Sequence, residues 1–171
     1  MALSKIQSES IDLADNFAGM RFGGTASDNA FDDYETGTVT LSYAGGVSNP
    51  TVVYAQQAAE YVKIGDFVFI SGRLRTSSVS SQGNGTARIN GLPFTVDTGQ
   101  IWGSVNIGYA TGWNSGNTPA TGYAEPGQTR CDLIRLSASD YRNGMDSSVD
   151  ADNFNTSAGN DIIFTITYKT A

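Results

Sequence analysis

The segment 61–74 constrains the fold most strongly, because its residues follow the pattern of a tight β-hairpin. Residues 61–64 form one arm, Gly65 and Asp66 supply a two-residue turn, and residues 67–74 form the returning arm. A glycine at the first turn position adopts the positive φ that tight hairpin turns require. We therefore expect this hairpin to organise a β-sheet.

The returning arm has two different faces, because side chains alternate along a strand. One face is apolar throughout: Val68, Ile70, Gly72 and Leu74. The other face begins with Phe67 and Phe69 and then becomes polar. A strand that is apolar on both faces must be covered on both sides there, so we expect this arm to lie in the centre of the sheet.

Alternating apolar and polar residues recur in six other segments, which favours antiparallel strands. These segments are residues 37–43, 51–56, 88–94, 101–109, 130–136 and 161–168. Glycine is abundant, with 20 among 171 residues, which suits a fold of strands and turns. The expected fold class is all-β, an antiparallel β-sandwich or jelly-roll-like knob of about eight strands.

Some finer expectations follow from the same patterns. The segment 88–94 is expected at a sheet edge, because Pro93 cannot donate a ladder hydrogen bond. In the clearest alternation, one face carries Ile101, Gly103, Val105, Ile107 and Tyr109. Three polar segments are expected to be loops, namely residues 77–85, 111–129 and 137–160.

The first 35 residues differ from the rest, because their apolar residues follow neither a strand nor a helix period. These residues are Ile6, Ile11, Leu13, Phe17, Met20 and Phe22. One interpretation is a disordered tail. Because disordered segments usually lack aromatic residues, we favour an extended arm that contacts a neighbouring subunit or a larger assembly. The sequence thus divides into an assembly arm, residues 1–35, and a β-knob, residues 36–171.

Composition argues against several function classes. A net charge of −7 disfavours nucleic acid as a partner. No apolar run approaches the roughly 20 residues of a membrane span, so we expect no membrane insertion. The chain has one cysteine and no histidine, which removes disulfides within the chain and the commonest general base and metal ligand. We expect no cofactor, no metal, no catalytic residues and no enzymatic activity.

Carbohydrate recognition is the binding chemistry that the loops suggest. Aromatic rings can stack on a sugar ring while neighbouring amides and hydroxyls bind its hydroxyl groups. The candidate ligand-binding residues are Tyr109, Trp113, Asn114, Asn117 and Tyr123. The alternative is that Trp113 and Tyr123 anchor their loop in the core or lie at a subunit interface.

Other candidate residues have structural interpretations that we favour. The carboxylates of one polar loop would suit a glycosidase pair, but we interpret them as solvated surface charges: Asp140, Asp146, Asp150 and Asp152. The run 150–153 is a weak Ca²⁺ signal, because it lacks the glycine and distal glutamate of an EF-hand loop. Arg73 and Arg75 either pair across a trimer interface or lie on a solvated face. Cys131 is interpreted as a small buried hydrophobic residue.

Four segments resemble a family of bacteriophage virion proteins from aquatic phages, among them the tips of tail fibres. The segments are FDDYETGT at 31–38, YVKIGDFVF at 61–69, INGLPF at 89–94 and NDIIFTITY at 160–168. Their order and approximate spacing agree with the family, so the resemblance covers about residues 31–171.

The resemblance implies a homotrimeric β-knob on the exterior of a phage particle. Such a knob commonly forms the host-facing tip of a fibre or spike and binds surface glycans or proteins. The arm would contact other virion proteins of the tail or capsid. The alternative is a capsid decoration or cement protein, a head knob whose arm grips the shell. The resemblance assigns no role to any individual residue.

Overall fold

The computed structural model describes residues 33–114, 117–135, 151, 154–157 and 159–170 in full, and the backbone of residues 20–21, 30–31 and 147–148. Every regular element in this part of the chain is a β-strand, so the predicted all-β class is confirmed. Of the predicted arm residues only the backbone of Met20 is described, and the four loop aspartates lie outside the described residues.

Twelve strands are present in the described residues. They are β1 (Met20–Arg21), β2 (Ala30–Phe31), β3 (Tyr34–Thr38), β4 (Ser42–Gly45), β5 (Thr51–Ile64), β6 (Phe67–Ser81), β7 (Ala87–Asn90), β8 (Gly103–Thr111), β9 (Pro119–Ala124), β10 (Arg130–Arg135), β11 (Ser147–Ser148) and β12 (Asp161–Lys169). The sheet thus begins at Tyr34, two residues before the predicted start of the knob.

Nine strands form one antiparallel sheet in the order β3-β5-β6-β12-β8-β9-β10-β7-β4. In addition, β11 pairs with β10, and β1 pairs with β2. The two end strands, β3 and β4, are joined by residues 39–41 alone, so the sheet must curl until its ends approach. The Val39 N–H accordingly donates to the Ala59 carbonyl at 3.0 Å, and the Gln57 amide donates to the Leu41 carbonyl at 2.7 Å.

The predicted hairpin is confirmed and is longer than the sequence indicated. Gly65 has a φ of +54° at the turn, and β6 lies between β5 and β12 in the interior of the sheet, as expected. The expected loop at 77–85 was wrong in its first half, because β6 continues to Ser81. Its serines face outward there while Val79 is buried, which is why the segment reads as polar.

The core lies on the inner face of the curled sheet. Two neighbouring strands contribute about half of its large side chains: Val68, Ile70 and Leu74 from β6, and Ile162, Phe164, Ile166 and Tyr168 from β12. Gly72 is required between them, because a Cβ there would lie 2.8 Å from the Phe164 ring. The apolar face predicted for the returning arm is therefore correct.

Two predictions of strand position were wrong. The expected loop 111–129 contains β9, whose Gly and Thr residues do not alternate clearly in polarity. The segment expected at an edge contains β7, which lies between β10 and β4 and ends at Asn90, before Pro93. The strand ends before Gly91, whose φ is +100°, and the proline that follows does not place it at the edge.

A β-bulge changes the face of Tyr109. Tyr109 lies opposite Ile163 while Ile107 lies opposite Phe164, so Gly108 is an extra residue in β8. Ile107 packs against the core, whereas Tyr109 is exposed on the outer face. The alternation predicted for this strand is therefore wrong at Tyr109, and also at Ile101, which is exposed before β8 begins.

Candidate functional site

The predicted ligand-binding residues do not form one cluster. Trp113 is buried, with its ring centroid 5.7 Å from that of Tyr43 and 4.7 Å from that of Phe154. The structure thus places Trp113 as an anchor of its loop in the core, the alternative role considered above. A ring packed in this way offers no free face to a sugar.

Of the other four residues, the two asparagines are close together, because the Asn117 N–H donates to the Asn114 carbonyl at 3.0 Å. The two tyrosines lie apart. Tyr109 and Tyr123 share the outer face, but Tyr123 lies opposite Ser104 at the start of β8 and Tyr109 lies near its end. Because the bulge adds one residue to β8, four residue steps along the sheet separate these positions. At 3.4 Å per step, this separates the two tyrosines by about 14 Å.

The outer face instead gathers apolar side chains from three adjacent strands. Cross-strand partners share a face, and here Tyr34 pairs with Ile64 and Ile64 with Phe67. The neighbouring row pairs Val62 with Phe69. We call these five residues the apolar face.

The apolar face is exposed to a degree unusual for a group of large side chains. Exposure is 58% for Tyr34, 41% for Ile64 and 46% for each of Phe67 and Phe69. Single exposed hydrophobic residues are common, but contiguous patches generally mark interaction sites. The sequence predicted that other parts of the protein cover Phe67 and Phe69. In the described part of this single chain, both rings are about half exposed.

A shallow groove of about 710 Å³ runs across these three strands, β3, β5 and β6, and onto β12. Val62 and Phe69 supply part of its apolar wall, and hydroxyl groups also line it, including those of Thr36, Ser71 and Thr165. A smaller depression of about 330 Å³ continues toward Ile163. The outer face is therefore concave as well as apolar at this end of the sheet.

A second feature of the outer face lies around Trp102, directly before β8. Trp102 is 53% exposed, and its ring centroid lies 5.2 Å from that of Tyr123 at an angle of 56°. Across β9, β10 and β7, Tyr123 pairs with Asp132 and Asp132 with Arg88. We call these four residues the Trp102 corner.

Charged groups hold the Trp102 corner in place. The Arg88 Nε donates to Asp132 Oδ1 at 2.8 Å, and Arg130 lies 3.7 Å from Glu125 and 3.9 Å from Asp132. Burial raises the pKa of the Tyr123 hydroxyl, and the negative charges of Asp132 and Glu125 raise it further. Sequence reasoning missed Trp102, although a tryptophan on the otherwise polar face of a strand was the available signal.

Arg73 and Asp161 form an ion pair within the chain. Arg73 donates to the two carboxylate oxygens at 3.0 and 2.7 Å, and Arg75 lies 4.0 Å from the same carboxylate. The hydrogen bond to Asp161 raises the pKa of Arg73. Arg73 is thus paired within its own chain, and the predicted pairing across a trimer interface stays a prediction.

Outside these surfaces, the Cys131 thiol lacks the exposed surroundings of a reactive nucleophile. Cys131 is buried, and burial raises the pKa of its thiol, so the thiol stays protonated. Within the described residues, no group of three or more His, Cys, Asp or Glu side chains is arranged to hold a metal ion. In the same part of the chain, no helix is long and apolar enough to span a membrane.

Comparisons with known proteins add no relative: no family model, curated protein or solved structure matches the chain. The functional argument therefore depends on the outer face and on the four segments that resemble phage virion proteins. Three of these segments lie in β3, the β5–β6 hairpin and β12, which are adjacent in the sheet. The fourth contributes Phe94, whose ring centroid lies 5.5 Å from that of Tyr61.

Proposed function

We propose that this chain is a bacteriophage virion structural protein. It forms a homotrimeric knob on the exterior of the particle, where it attaches to the host surface as a fibre or spike tip. The curled sheet serves as the body of a sandwich-type knob. The apolar face carries this proposal, because its side chains require a partner that the described single chain does not supply.

The position of the resembling segments supports the proposal. Segments far apart in the sequence come together in four adjacent strands. Two of these segments, residues 31–38 and 61–69, supply all five residues of the apolar face. A likeness confined to unrelated loops would support the proposal less than one that contributes a continuous surface. The surface that needs a partner is thus built from segments that resemble phage virion proteins.

Burial of the apolar face would contribute to association. Fully burying one large apolar side chain contributes roughly 1.5–3 kcal/mol, and these side chains are about half buried already. Burial of the remaining half of five such side chains would contribute roughly 4–7 kcal/mol. This offsets the lower part of the loss of freedom on association, which costs on the order of 4–15 kcal/mol. Further copies of the chain are the partners that we propose for this face.

Sedimentation equilibrium tests the oligomer with a matched pair of variants. The wild-type chain should have about three times its 18.1 kDa chain mass. Phe69→Asp should sediment as a folded monomer, because an unpaired carboxylate in the subunit contact is costly. Val47→Asp places the same charge at a side chain that is 80% exposed in a loop, and should remain trimeric. A monomeric wild-type chain at micromolar concentration would contradict the proposal.

The second candidate is a capsid decoration or cement protein. The scattered apolar residues of the predicted arm favour it, because an extended segment of that kind suits contact with a shell. Labelling of the chain on purified particles distinguishes the two candidates. A fibre or spike tip would appear at the tail in few copies, and a decoration protein would cover the head.

A further inference from the structure

The Trp102 corner combines an open aromatic surface with polar groups fixed by the sheet. Trp102 exposes about half of its side chain although indole is costly to hydrate. Tyr123 contacts it from one side; β9 positions the Tyr123 ring, and Trp102 directly precedes β8. A rigid aromatic surface of this kind loses little conformational freedom when a flat apolar ligand face stacks on it.

The polar groups beside the rings are aligned along one row of the sheet. Ser104, Tyr123 and Asp132 are successive cross-strand neighbours on β8, β9 and β10. Ser104 is exposed, while Asp132 is nearly buried and accepts the hydrogen bond from Arg88. Asp132 is therefore a positioning residue that orients its neighbours, since the Tyr123 hydroxyl also donates to it. The Ser104 hydroxyl can donate and accept hydrogen bonds, and the Tyr123 hydroxyl can accept one.

We infer that the Trp102 corner binds a neutral saccharide, with one sugar face stacked on Trp102 and sugar hydroxyls bonded to this row. The inference rests on the proposed function, since it names the residues and the ligand class of host attachment. A pyranose ring offers both an apolar and a polar surface, because its C–H groups form an apolar face and its hydroxyls surround the ring.

The charges favour a neutral sugar over an acidic one. Arg88 is paired with Asp132, and Arg130 lies near both Glu125 and Asp132, so each guanidinium here has a carboxylate neighbour. The whole chain carries a net charge of −7. An acidic saccharide would therefore meet a repulsive field and would have to compete for cations that are already paired.

Saccharide binding and subunit association can occur together, because they use different parts of the outer face. Phe69 and Tyr123 lie in one row, with β12 and β8 between their strands. Three strand spacings of about 4.8 Å separate them by about 14 Å. A trimer that covers the apolar face can leave the Trp102 corner open.

The test uses the full chain and neutral gluco-, manno- and galacto-oligosaccharides, with oligogalacturonate as the acidic counterpart. Calorimetry should show binding of a neutral series and weaker or no binding of oligogalacturonate. Trp102→Ala should weaken binding by about tenfold or more. Tyr109→Ala removes another exposed ring from the same face, about 14 Å from Tyr123 along the strands, and should leave binding unchanged.

Tryptophan fluorescence gives an independent result, because the chain has only two tryptophans and Trp113 is buried. Acrylamide should quench Trp102, and a neutral saccharide should protect it. Four results would each overturn the inference. They are failure of all three neutral series to bind with a Kd of about 1 mM or tighter, equal loss of binding in both alanine variants, tighter binding of oligogalacturonate, and a Trp102 that acrylamide does not quench.

Sedimentation of the same samples separates this inference from the proposed function. A trimer that binds none of the neutral saccharides would overturn the saccharide site and leave the trimer standing. A monomer whose saccharide binding depends on Trp102 would support the site and contradict the trimer.

Discussion

At the scale of single residues, buried polar groups stabilise one end of the core. The Asp161 side chain is only 5% exposed and depends on Arg73 for its two charged hydrogen bonds. Nearby, the Tyr43 hydroxyl donates to the Leu74 carbonyl at 3.0 Å, and the Asn160 N–H donates to the Thr76 hydroxyl at 2.9 Å. Loss of one partner would leave a buried group without its hydrogen bond.

Arg73→Leu should lower the free energy of unfolding by about 2 kcal/mol. The side chain of Arg73 is one-third exposed, so the loss is smaller than for a fully buried pair. Arg75→Leu is the matched control: Arg75 is more exposed and lies farther from Asp161, so its replacement should cost less than about 0.5 kcal/mol. Urea unfolding of both variants measures the difference, and equal costs would refute the assigned roles.

Stability should fall at alkaline pH. Burial raises the pKa of Tyr43 and Tyr168 above the ordinary value of 10.0. The folded chain then keeps both phenols protonated while the unfolded chain ionises above about pH 10, which favours unfolding by up to about 1.4 kcal/mol per pH unit for each tyrosine. This stabilising contribution is complete below about pH 10 and is lost as the pH rises further.

Urea unfolding at several pH values between about 8 and about 11 tests this dependence. Tyr43→Phe should reduce the alkaline slope, although it also costs about 1 kcal/mol through the lost hydrogen bond to Leu74. An unaltered slope in Tyr43→Phe would contradict the role assigned to its burial.

At the scale of elements, the β5–β6 hairpin is the longest unit of the sheet and extends well beyond the predicted arms. Its outer end is held by serine hydroxyls that donate to backbone carbonyls, such as Ser77 to Val53 at 3.2 Å. Val79 is buried beneath this end of the hairpin. The extension is therefore part of the folded core and not a surface loop.

Val79→Ala should destabilise the protein by about 2 kcal/mol, through lost apolar contact and a small cavity. Val53→Ala makes the same change on the partner strand, at a side chain that is 61% exposed, and should be close to neutral. Thermal unfolding of the two variants compares them directly. A Val79→Ala variant as stable as the wild type would contradict the assignment of residues 77–81 to the folded core.

Alternation predicted β12 and the returning arm of the hairpin because every second residue from Val68 to Leu74 and from Ile162 to Tyr168 faces the core. It failed where burial depends on distant partners. The position of Trp113 is set by Tyr43 and Phe154, which no local pattern reveals. The bulge at Gly108 likewise depends on pairing with β12, so alternation placed Tyr109 on the wrong face.

At the scale of the whole molecule, the nine-stranded sheet begins at Tyr34. The Gly65 N–H donates to the Asp33 carbonyl at 2.8 Å, which ties the start of β3 to the turn of the central hairpin. The predicted arm precedes this point. The division between arm and knob remains a prediction.

Deletion of residues 1–30 should leave a folded knob that no longer joins the particle. Because the described core lies in residues 39–170, the free energy of unfolding of the knob should stay within about 1 kcal/mol of that of the full chain. Urea unfolding and a particle-incorporation assay measure the two effects separately. A truncated chain that fails to fold would show that the arm belongs to the core.

Cryo-electron microscopy of the intact phage particle tests the central claim most directly. The account predicts three copies of the chain around one axis on the particle exterior, with Phe67 and Phe69 covered by a neighbouring copy and Trp102 facing solvent. A particle that lacks the chain, or that carries it with the apolar face still open to water, would contradict the account.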